Sequence, residues 1–264
     1  GADSFDMLDR GEIQVVQNAP SSSFTKLEQG KRDIPLQVAA INDRDGFYIV
    51  SRKPVGNFSW KDLEGKTLVP ASFGVQPWAC LMFCLTEQGV NTDKVRLVKG
   101  LSSMQEAEEA FRKGEGDYVH LQNPNALRLV EDGVGYLAAS VGEALGPIAF
   151  SSLAMSRKFL AEETDVAEAI LRAYHVSQKW VLAADAETIV DALAPLFPDT
   201  PKRVLVKSVE GYKALRCWLP DPVIPPRSYE RALDMWIAAK QITRRYPYEM
   251  VVTTSLAEKV MGKK

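Results

Sequence analysis

The segment that decides the fold spans residues 61–90, "KDLEGKTLVPASFGVQPWACLMFCLTEQGV". It opens with a polar turn that ends at Gly65 and continues into a short β-prone run at 67–71. A loop of small and polar residues follows, and Pro77 then marks the first turn of an apolar helix that stops at Gly89. The pattern predicts a buried strand that leads through a polar loop into a helix, an arrangement typical of α/β proteins.

The same alternation extends outward in both directions. Toward the carboxyl terminus, strands are predicted at 95–100, 117–121 and 136–141, with helices at 103–115 and 123–133 between them. Toward the amino terminus, strands are predicted at 13–17, 36–41 and 46–53, with a helix that ends at Gly30 between the first two. The segment 150–160 is predicted to be a strand that leads into a turn, and beyond it the periodicity is helical. The sequence therefore predicts an α/β protein with mainly parallel sheets.

The length of 264 residues predicts two lobes of about 100–150 residues each. Since the helical carboxyl-terminal third supplies no sheet of its own, it is expected to cover strands from the amino terminus. Residues 1–58 and 152–264 then form a discontinuous lobe 1, and residues 59–151 form lobe 2. Two crossings between the lobes predict a hinge and a cleft.

Composition excludes several classes of function. With 32 basic and 34 acidic residues the formal net charge is −2, and no basic cluster large enough for nucleic acid is present. The longest apolar run, 78–85, is too short to span a bilayer, and the opening "GADSFD" predicts no signal segment within this chain. Three cysteines and two histidines favour buried free thiols over a metal site.

Two stretches about a hundred residues apart echo each other. They are "LDRGEIQVVQNAPSSS" at 8–23 and "FRKGEGDYVHLQNPNA" at 111–126, and Gly11 and Gly114 are 103 positions apart. Each is predicted to end a helix with Gly-Glu, to continue as a strand, and to place a Gln-Asn loop at the end of that strand. Ligands bind at such strand ends in open α/β sheets. The echo indicates either chance similarity or two similar lobes that each present a polar loop.

The order of these motifs resembles the NMT1/THI5-like family of substrate-binding proteins for nitrate, sulfonate and pyrimidine uptake. The resemblance is carried by "DLEGKTLV" before a polar loop and helix and by "EAEEAFRKGEGDY", and it covers nearly the whole chain. It implies the two-lobed type II periplasmic-binding-protein fold with a ligand in the cleft. Family members begin with a further strand–helix unit, which is expected to be absent from this chain.

By the same resemblance, four loops would line the cleft. Their amide, hydroxyl and imidazole groups could hydrogen-bond a ligand, helix N-termini could offer free N–H groups, and aromatic rings could clamp an organic solute. Helix capping, turn formation and structural hydrogen bonding are the alternative roles. The candidate ligand-binding residues are Asn18, Ser21 and Ser22 in the first loop, Ser72, Phe73, Gly74, Gln76 and Trp78 in the second, His120, Gln122 and Asn123 in the third, and Pro147 and Phe150 in the fourth.

The resemblance implies a solute-binding receptor of an ABC-type uptake system that closes on a small organic solute and delivers it to a membrane permease. Such a receptor is expected to be a monomer in the periplasm, or anchored outside the cytoplasm, without cofactor, metal or nucleic acid. Because the candidate loops contain no lysine or arginine, a neutral or zwitterionic ligand, aromatic ones included, is favoured over a fully charged anion.

Two alternatives remain: a pyrimidine- or thiamin-precursor enzyme of the THI5-like type, and a ligand-sensing domain of a regulator. No catalytic residue is predicted, since G-x-S-x-G, P-loop and G-x-G-x-x-G motifs are all missing from the sequence. The cysteine-rich run of the enzyme relatives is matched only by "CLMFC" at 80–84.

Overall fold

The computed structural model describes residues 4–72 and 74–262, and the chain divides into two compact units. Unit 1 consists of Gly1–Arg44, Pro147–Ala183 and Arg216–Lys264, and unit 2 of Asp45–Gly146 and Ala184–Leu215. The chain therefore passes between the units four times, where the sequence predicted two crossings. Residues 45–58 and 184–215 were predicted in lobe 1, and the structure groups both segments with unit 2.

Helices and strands alternate along most of the chain. The helices are α1 (Ser4–Asp9), α2 (Pro20–Glu28), α3 (Val75–Glu87), α4 (Met104–Arg112), α5 (Asn125–Glu131), α6 (Val141–Leu145), α7 (Arg157–Glu162), α8 (Thr164–Ala183), α9 (Ala186–Leu193), α10 (Lys202–Ala214), α11 (Pro226–Ala238), α12 (Tyr248–Val251) and α13 (Ser255–Val260). The strands are β1 (Val15–Asn18), β2 (Leu36–Asn42), β3 (Phe47–Ser51), β4 (Thr67–Val69), β5 (Arg96–Leu97), β6 (Tyr118–Gln122), β7 (Tyr136–Ser140) and β8 (Ser151–Met155).

The segment 61–90 folds as its pattern predicts. Strand β4 follows a turn in which Gly65 adopts a φ of +76°, and α3 ends just before Gly89, which has a φ of +70°. Such left-handed conformations favour glycine because it has no Cβ. A short 3₁₀ helix, Trp60–Leu63, precedes the turn and is closed by a capping box between Ser59 and Asp62.

Unit 1 contains a three-stranded sheet in the order β1-β8-β2. The central strand β8 is antiparallel to both neighbours, so Met155 lies opposite Val15 on one side and opposite Leu36 on the other. Helices α8 and α13 pack over β2 through a core that includes Leu171 and Ala257. The expectation that carboxyl-terminal helices cover a sheet built from amino-terminal strands is therefore confirmed for α8 and α13.

Unit 2 contains a five-stranded sheet in the order β5-β4-β6-β3-β7. Strands β4, β5 and β6 are parallel to one another, whereas β3 is antiparallel to β6 and β7. The prediction of mainly parallel sheets is thus wrong for unit 1 and for β3. Strands β3 and β8 each begin at the edge where a neighbouring strand ends, so they must run back through the sheet in the opposite direction.

Helices α9 and α10 belong to unit 2, whereas the sequence predicted them in lobe 1. Helix α10 contacts α5, and Arg203 and Lys207 on α10 both pair with Glu131 at the end of α5. The Tyr212 hydroxyl, also on α10, contacts the backbone of Asn123. An amphipathic pattern predicts that a helix buries one face but does not say which sheet it covers.

Candidate functional site

In unit 1 the ends of three strands bring polar side chains to one edge of the sheet. Asn18, the last residue of β1, lies opposite Ser152 in β8, and Asn42, the last residue of β2, lies opposite Ser151. The first predicted loop therefore starts at the same edge as the return of the chain at Ser151. This edge carries amide and hydroxyl groups, with the backbone of α2 starting directly after it.

A buried glutamine organises this edge. The Gln37 side chain is fully buried, and its Nε2 donates to Asn18 Oδ1 at 3.2 Å and to Ser23 Oγ at 3.1 Å. Its Oε1 accepts from Ser152 Oγ at 2.6 Å. Because Gln37 fixes the carbonyl end of the Asn18 amide, the buried Nδ2 of Asn18 is left without a hydrogen-bond partner among the described residues. That N–H group is available to an acceptor on a ligand.

The amino terminus of α2 is also open. The N-cap residue is Ala19, which provides no side-chain hydrogen bond, so the serines that were considered as caps do not play that role. Ser21 is buried and Ser22 half-buried in the first turn of the helix. Four α-helices of the described chain are capped by a side chain, namely α4 by Ser103, α6 by Ser140, α7 by Ser156 and α9 by Asp185, whereas α2 shares the lack of a side-chain cap with α5, α10, α11, α12 and α13. Uncapped N–H groups attract acceptor atoms.

The fourth predicted loop closes the same edge of unit 1. Pro147 and Phe150 are half-buried, and the Phe150 N–H donates to the Asn42 backbone oxygen at 3.3 Å. The neighbouring Asp43 is buried, its Oδ2 accepts from Ser228 Oγ at 3.2 Å, and burial raises the pKa of this carboxyl. A shallow depression with no enclosed volume lies here, lined by Pro20, Ala40, Asn42, Asp43, Ala149, Ser151, Ser152, Ile224 and Pro225.

Unit 2 has a comparable edge, where β4 and β6 end and β3 begins. Ser72 and Gln122 are exposed there, and Gln122 lies opposite Phe47. Asn123 is buried, and its backbone N–H donates to the Tyr212 hydroxyl at 3.1 Å. The Asn123 Oδ1 atom has no hydrogen-bond partner within the described part of the chain. The predicted residue Phe73 lies outside the described residues.

Helix α3 begins at this edge with Gly74 as an N-cap that makes no side-chain hydrogen bond. A Cβ at Gly74 would lie 3.1 Å from the Pro77 ring. This close contact is a structural reason for a glycine at position 74 that does not depend on a ligand. Gln76 and Trp78 are half-buried in the first turn. The Gln76 Nε2 atom lies 4.0 Å from Cys80 Sγ, and its buried Oε1 has no hydrogen-bond partner in the described segments.

His120 lies inside unit 2 on strand β6 and is fully buried. Its ring centroid is 4.7 Å from that of Phe47, and neither ring nitrogen has a hydrogen-bond partner among residues 4–72 and 74–262. Burial lowers the pKa of His120 to about 3, so the ring is neutral at physiological pH.

Asp45 is a buried carboxyl that the sequence analysis did not select. It is fully buried at the start of unit 2, and its Oδ1 accepts from the Phe47 N–H at 2.6 Å. Burial raises the pKa of Asp45 to about 7 against the opposing hydrogen bonds from Phe47 and from the Cys80 thiol. In "NDRDGF" it reads as an ordinary turn residue, and no local signal distinguishes it from Asp43.

The echo corresponds to equivalent structure within each unit. Gly11 follows α1 with a φ of +71° and Gly114 follows α4 with a φ of +98°, and strands β1 and β6 come next. Each strand ends at or beside an asparagine, and a proline starts the next helix at Pro20 or caps it at Pro124. That the two loops bind one ligand stays a prediction.

All three cysteines, Cys80, Cys84 and Cys217, are buried thiols that form no disulfide among the described residues, as the sequence predicts. Burial raises the pKa of Cys84 to about 12 and that of Cys80 well above its ordinary value. A thiol that stays protonated is a poor nucleophile and a poor metal ligand. Among residues 4–72 and 74–262, no helix is long and apolar enough to cross a membrane.

The fold and these strand-end edges define an α/β protein of the periplasmic-binding type, with two units that each present a polar edge. The model of the family described as "NMT1/THI5 like" matches residues 3–188, and the chain belongs to that family. Over 259 residues the chain is 29% identical to a Bacillus subtilis (strain 168) protein named "Putative binding protein YtlA", covering 98% of this chain and 77% of that protein.

Solved structures show the same fold at low sequence identity. The alkanesulfonate-binding protein SsuA from Xanthomonas axonopodis pv. citri, bound to MOPS, matches with a TM-score of 0.73 at 17% identity, covering 94% of this chain and 83% of that one. The periplasmic aliphatic sulphonate binding protein SsuA from Escherichia coli matches with a TM-score of 0.72 at 13% identity, covering 98% of this chain and 84% of that one. A mutant of the desulfurization enzyme DSZB, in complex with biphenyl-2-sulfinic acid, matches with a TM-score of 0.71 at 12% identity. The match covers 94% of this chain and 85% of that one.

Proposed function

We propose that this protein is the solute-binding receptor of an ABC-type uptake system and binds a small organic solute. Membership of the NMT1/THI5-like family, the name of the Bacillus subtilis relative and the two SsuA structures support this function. The observation that carries it is the pair of polar edges. Each edge holds an asparagine with one buried amide atom that has no partner within the described chain, Asn18 Nδ2 in unit 1 and Asn123 Oδ1 in unit 2.

These two amide atoms have complementary chemistry. Asn18 Nδ2 is a donor and needs an acceptor on the solute, whereas Asn123 Oδ1 is an acceptor and needs a donor. Leaving such a group buried and unpaired costs about 1–3 kcal/mol, so a solute that pairs with both would recover that free energy on binding. The proposed contacts also include Ser21 and Ser22 in unit 1 and Ser72, Gly74, Gln76, Trp78, Gln122 and His120 in unit 2, with Pro147 and Phe150 beside Asn42.

The binding step is proposed to be closure of the two units on the solute, after which the receptor delivers it to the membrane permease of the same uptake system. A receptor of this kind works outside the cytoplasm, in the periplasm or anchored to the membrane. A monomer suffices for this mechanism, and no step in it requires a cofactor.

The DSZB structures favour one further candidate, an enzyme on the same fold, because that neighbour is a desulfurization enzyme. Cysteine chemistry on this chain would require a thiolate. Cys80 and Cys84 are buried thiols whose pKa values are raised, which opposes thiolate formation at neutral pH. Solute binding is therefore the better-supported function.

Thermal-shift and calorimetric screening against sulfonates, pyrimidines and amino-acid derivatives tests the proposal. A solute at 100 times its dissociation constant is expected to stabilise the fold by about 2.7 kcal/mol. Asn18→Ala should weaken binding, and Asn57→Ala, at an exposed asparagine of unit 2, serves as the matched control. Recovery of the solute unchanged after prolonged incubation supports a receptor, whereas its conversion by substoichiometric protein supports the enzyme.

A further inference from the structure

Two polar side chains of unit 2 contact the same sulfur atom, and each keeps one buried oxygen without a hydrogen-bond partner in the described part of the chain. The Asp45 carboxyl receives a hydrogen bond from the Cys80 thiol, and Gln76 Nε2 lies 4.0 Å from the same Sγ atom. Asp45 Oδ2 and Gln76 Oε1 are both buried and have no hydrogen-bond partner among the described residues. An unpaired buried acceptor is costly, so each of these two oxygens is a candidate to receive a donor group from a bound solute.

The environment of Asp45 does not supply that donor. The groups that act on its carboxyl are the Phe47 N–H and the Cys80 thiol, and within the described chain no basic side chain pairs with it. The carboxyl in turn faces Cys80 and Cys84 on α3, two protonated thiols. A positively charged or N–H-bearing group would offset the desolvation that holds the pKa of Asp45 near 7.

A second buried carboxyl of unit 2, that of Glu108, is paired with basic and amide side chains of the same unit. Glu108 is only 4% exposed, and it accepts from Arg112, Arg128 and Asn125. Asp45 is more deeply buried and receives no cation of this kind among the described residues. The difference between the two acids points to a partner for Asp45 that comes from outside the chain.

The position of Asp45 is tightly fixed. It precedes β3 at the edge where β3 starts opposite Gln122, the edge that carries the candidate loops of unit 2. A Cβ at Gly142 would lie 2.0 Å from the Asp45 backbone oxygen, so α6 packs against this residue with no room for a side chain. The backbone that carries the Asp45 carboxyl is thus held in place by α6, and a group on a fixed backbone is suited to selecting among solutes.

We propose that Asp45 and Gln76 together bind an amino group of the solute, carried by an amine, an amidine or an amino-substituted heterocycle. This inference rests on the proposed function and specifies the class of solute. One nitrogen with two hydrogens can donate to both oxygens at once. A solute whose only polar group is an anion would meet an unpaired carboxylate and no lysine or arginine in the described candidate loops.

Matched pairs of probes test the assignment. At pH 8 we would measure by calorimetry the binding of 3-aminopropanesulfonate against propanesulfonate, and of 4-aminopyrimidine against pyrimidine. The amino member of at least one pair should bind at least tenfold more tightly than its parent. Asp45→Asn and, separately, Gln76→Leu should each bring the affinities of the two members of that pair to within about twofold of each other, judged from the ratio of the two affinities within each variant.

The control and the contrary outcomes are distinct. Asp199→Asn makes the same chemical change at an exposed aspartate of unit 2 and should preserve the preference for the amino member. Parents that bind as tightly as their amino partners, or a preference that survives both Asp45→Asn and Gln76→Leu, would overturn the inference and leave solute binding intact. If no probe binds and no solute in the thermal-shift and calorimetric screen binds either, the proposed function is wrong and the inference is wrong with it.

Discussion

The Gln37 side chain holds Asn18 in place, with its Nε2 3.2 Å from Asn18 Oδ1 and its Oε1 2.6 Å from Ser152 Oγ. A single buried amide thus joins the end of β1 to the start of β8. Gln37→Leu would leave Asn18 Oδ1 and Ser23 Oγ without this donor. We expect a loss of about 1–3 kcal/mol in the free energy of unfolding, measured by urea denaturation, and weaker solute binding.

The matched control for Gln37→Leu is Gln105→Leu, on the exposed face of α4, where the change should stay within about 0.5 kcal/mol. Equal urea midpoints for wild type and Gln37→Leu would contradict the role given to this amide. If unfolding changes but solute affinity does not, Gln37 stabilises unit 1 without orienting the binding edge.

Gly142→Ala should be one of the most damaging single-methyl changes in unit 2. The added Cβ would lie 2.0 Å from the Asp45 backbone oxygen, and two backbone segments would have to separate to admit it. We expect a loss of about 3 kcal/mol or more in the free energy of unfolding, at the upper end for overpacking. Gly56→Ala, where nothing lies within 4 Å, is the control and should be nearly neutral. A Gly142→Ala protein as stable as wild type would contradict the close approach of α6 to Asp45.

Tyr212→Phe tests whether α10 positions the third candidate loop. The Tyr212 hydroxyl accepts from the Asn123 N–H at 3.1 Å and lies 3.2 Å from the Asn123 backbone oxygen. Removing it should cost about 1 kcal/mol of stability and weaken solute binding, while Tyr136→Phe, at an exposed tyrosine of β7, should do neither. Unchanged calorimetric affinity in Tyr212→Phe would show that the loop holds its position without α10.

The class of fold could be predicted from the sequence because hydrophobic periodicity and glycine stops are local signals. They located β4, α3 and the two echoing helix–strand units within a few residues. Strand direction and the partner of α10 could not be predicted, since both depend on contacts between distant segments. The same limit applies to the site. Gln37 and Asp45 matter because of what surrounds them in the fold, and neither lies in a motif that distinguishes it from an ordinary strand or turn residue.

Asp45 and His120 should give opposite dependences of stability on pH. Burial raises the pKa of Asp45 from 3.8 to about 7, so the folded state binds more protons than the unfolded state between those values and stability falls as pH rises through that window. Burial lowers the pKa of His120 from 6.5 to about 3, so its contribution rises with pH between 3 and 6.5. Relative to wild type, Asp45→Asn should therefore gain stability from pH 4 to 7, by about 4 kcal/mol at most, and then level off. His120→Gln should show its largest relative gain at low pH and lose it by pH 6.5. Urea denaturation of the three proteins at half-unit steps from pH 4 to 8 measures how the free energy of unfolding depends on pH in each. If that dependence is the same in all three proteins, the pKa shifts assigned to Asp45 and His120 are contradicted.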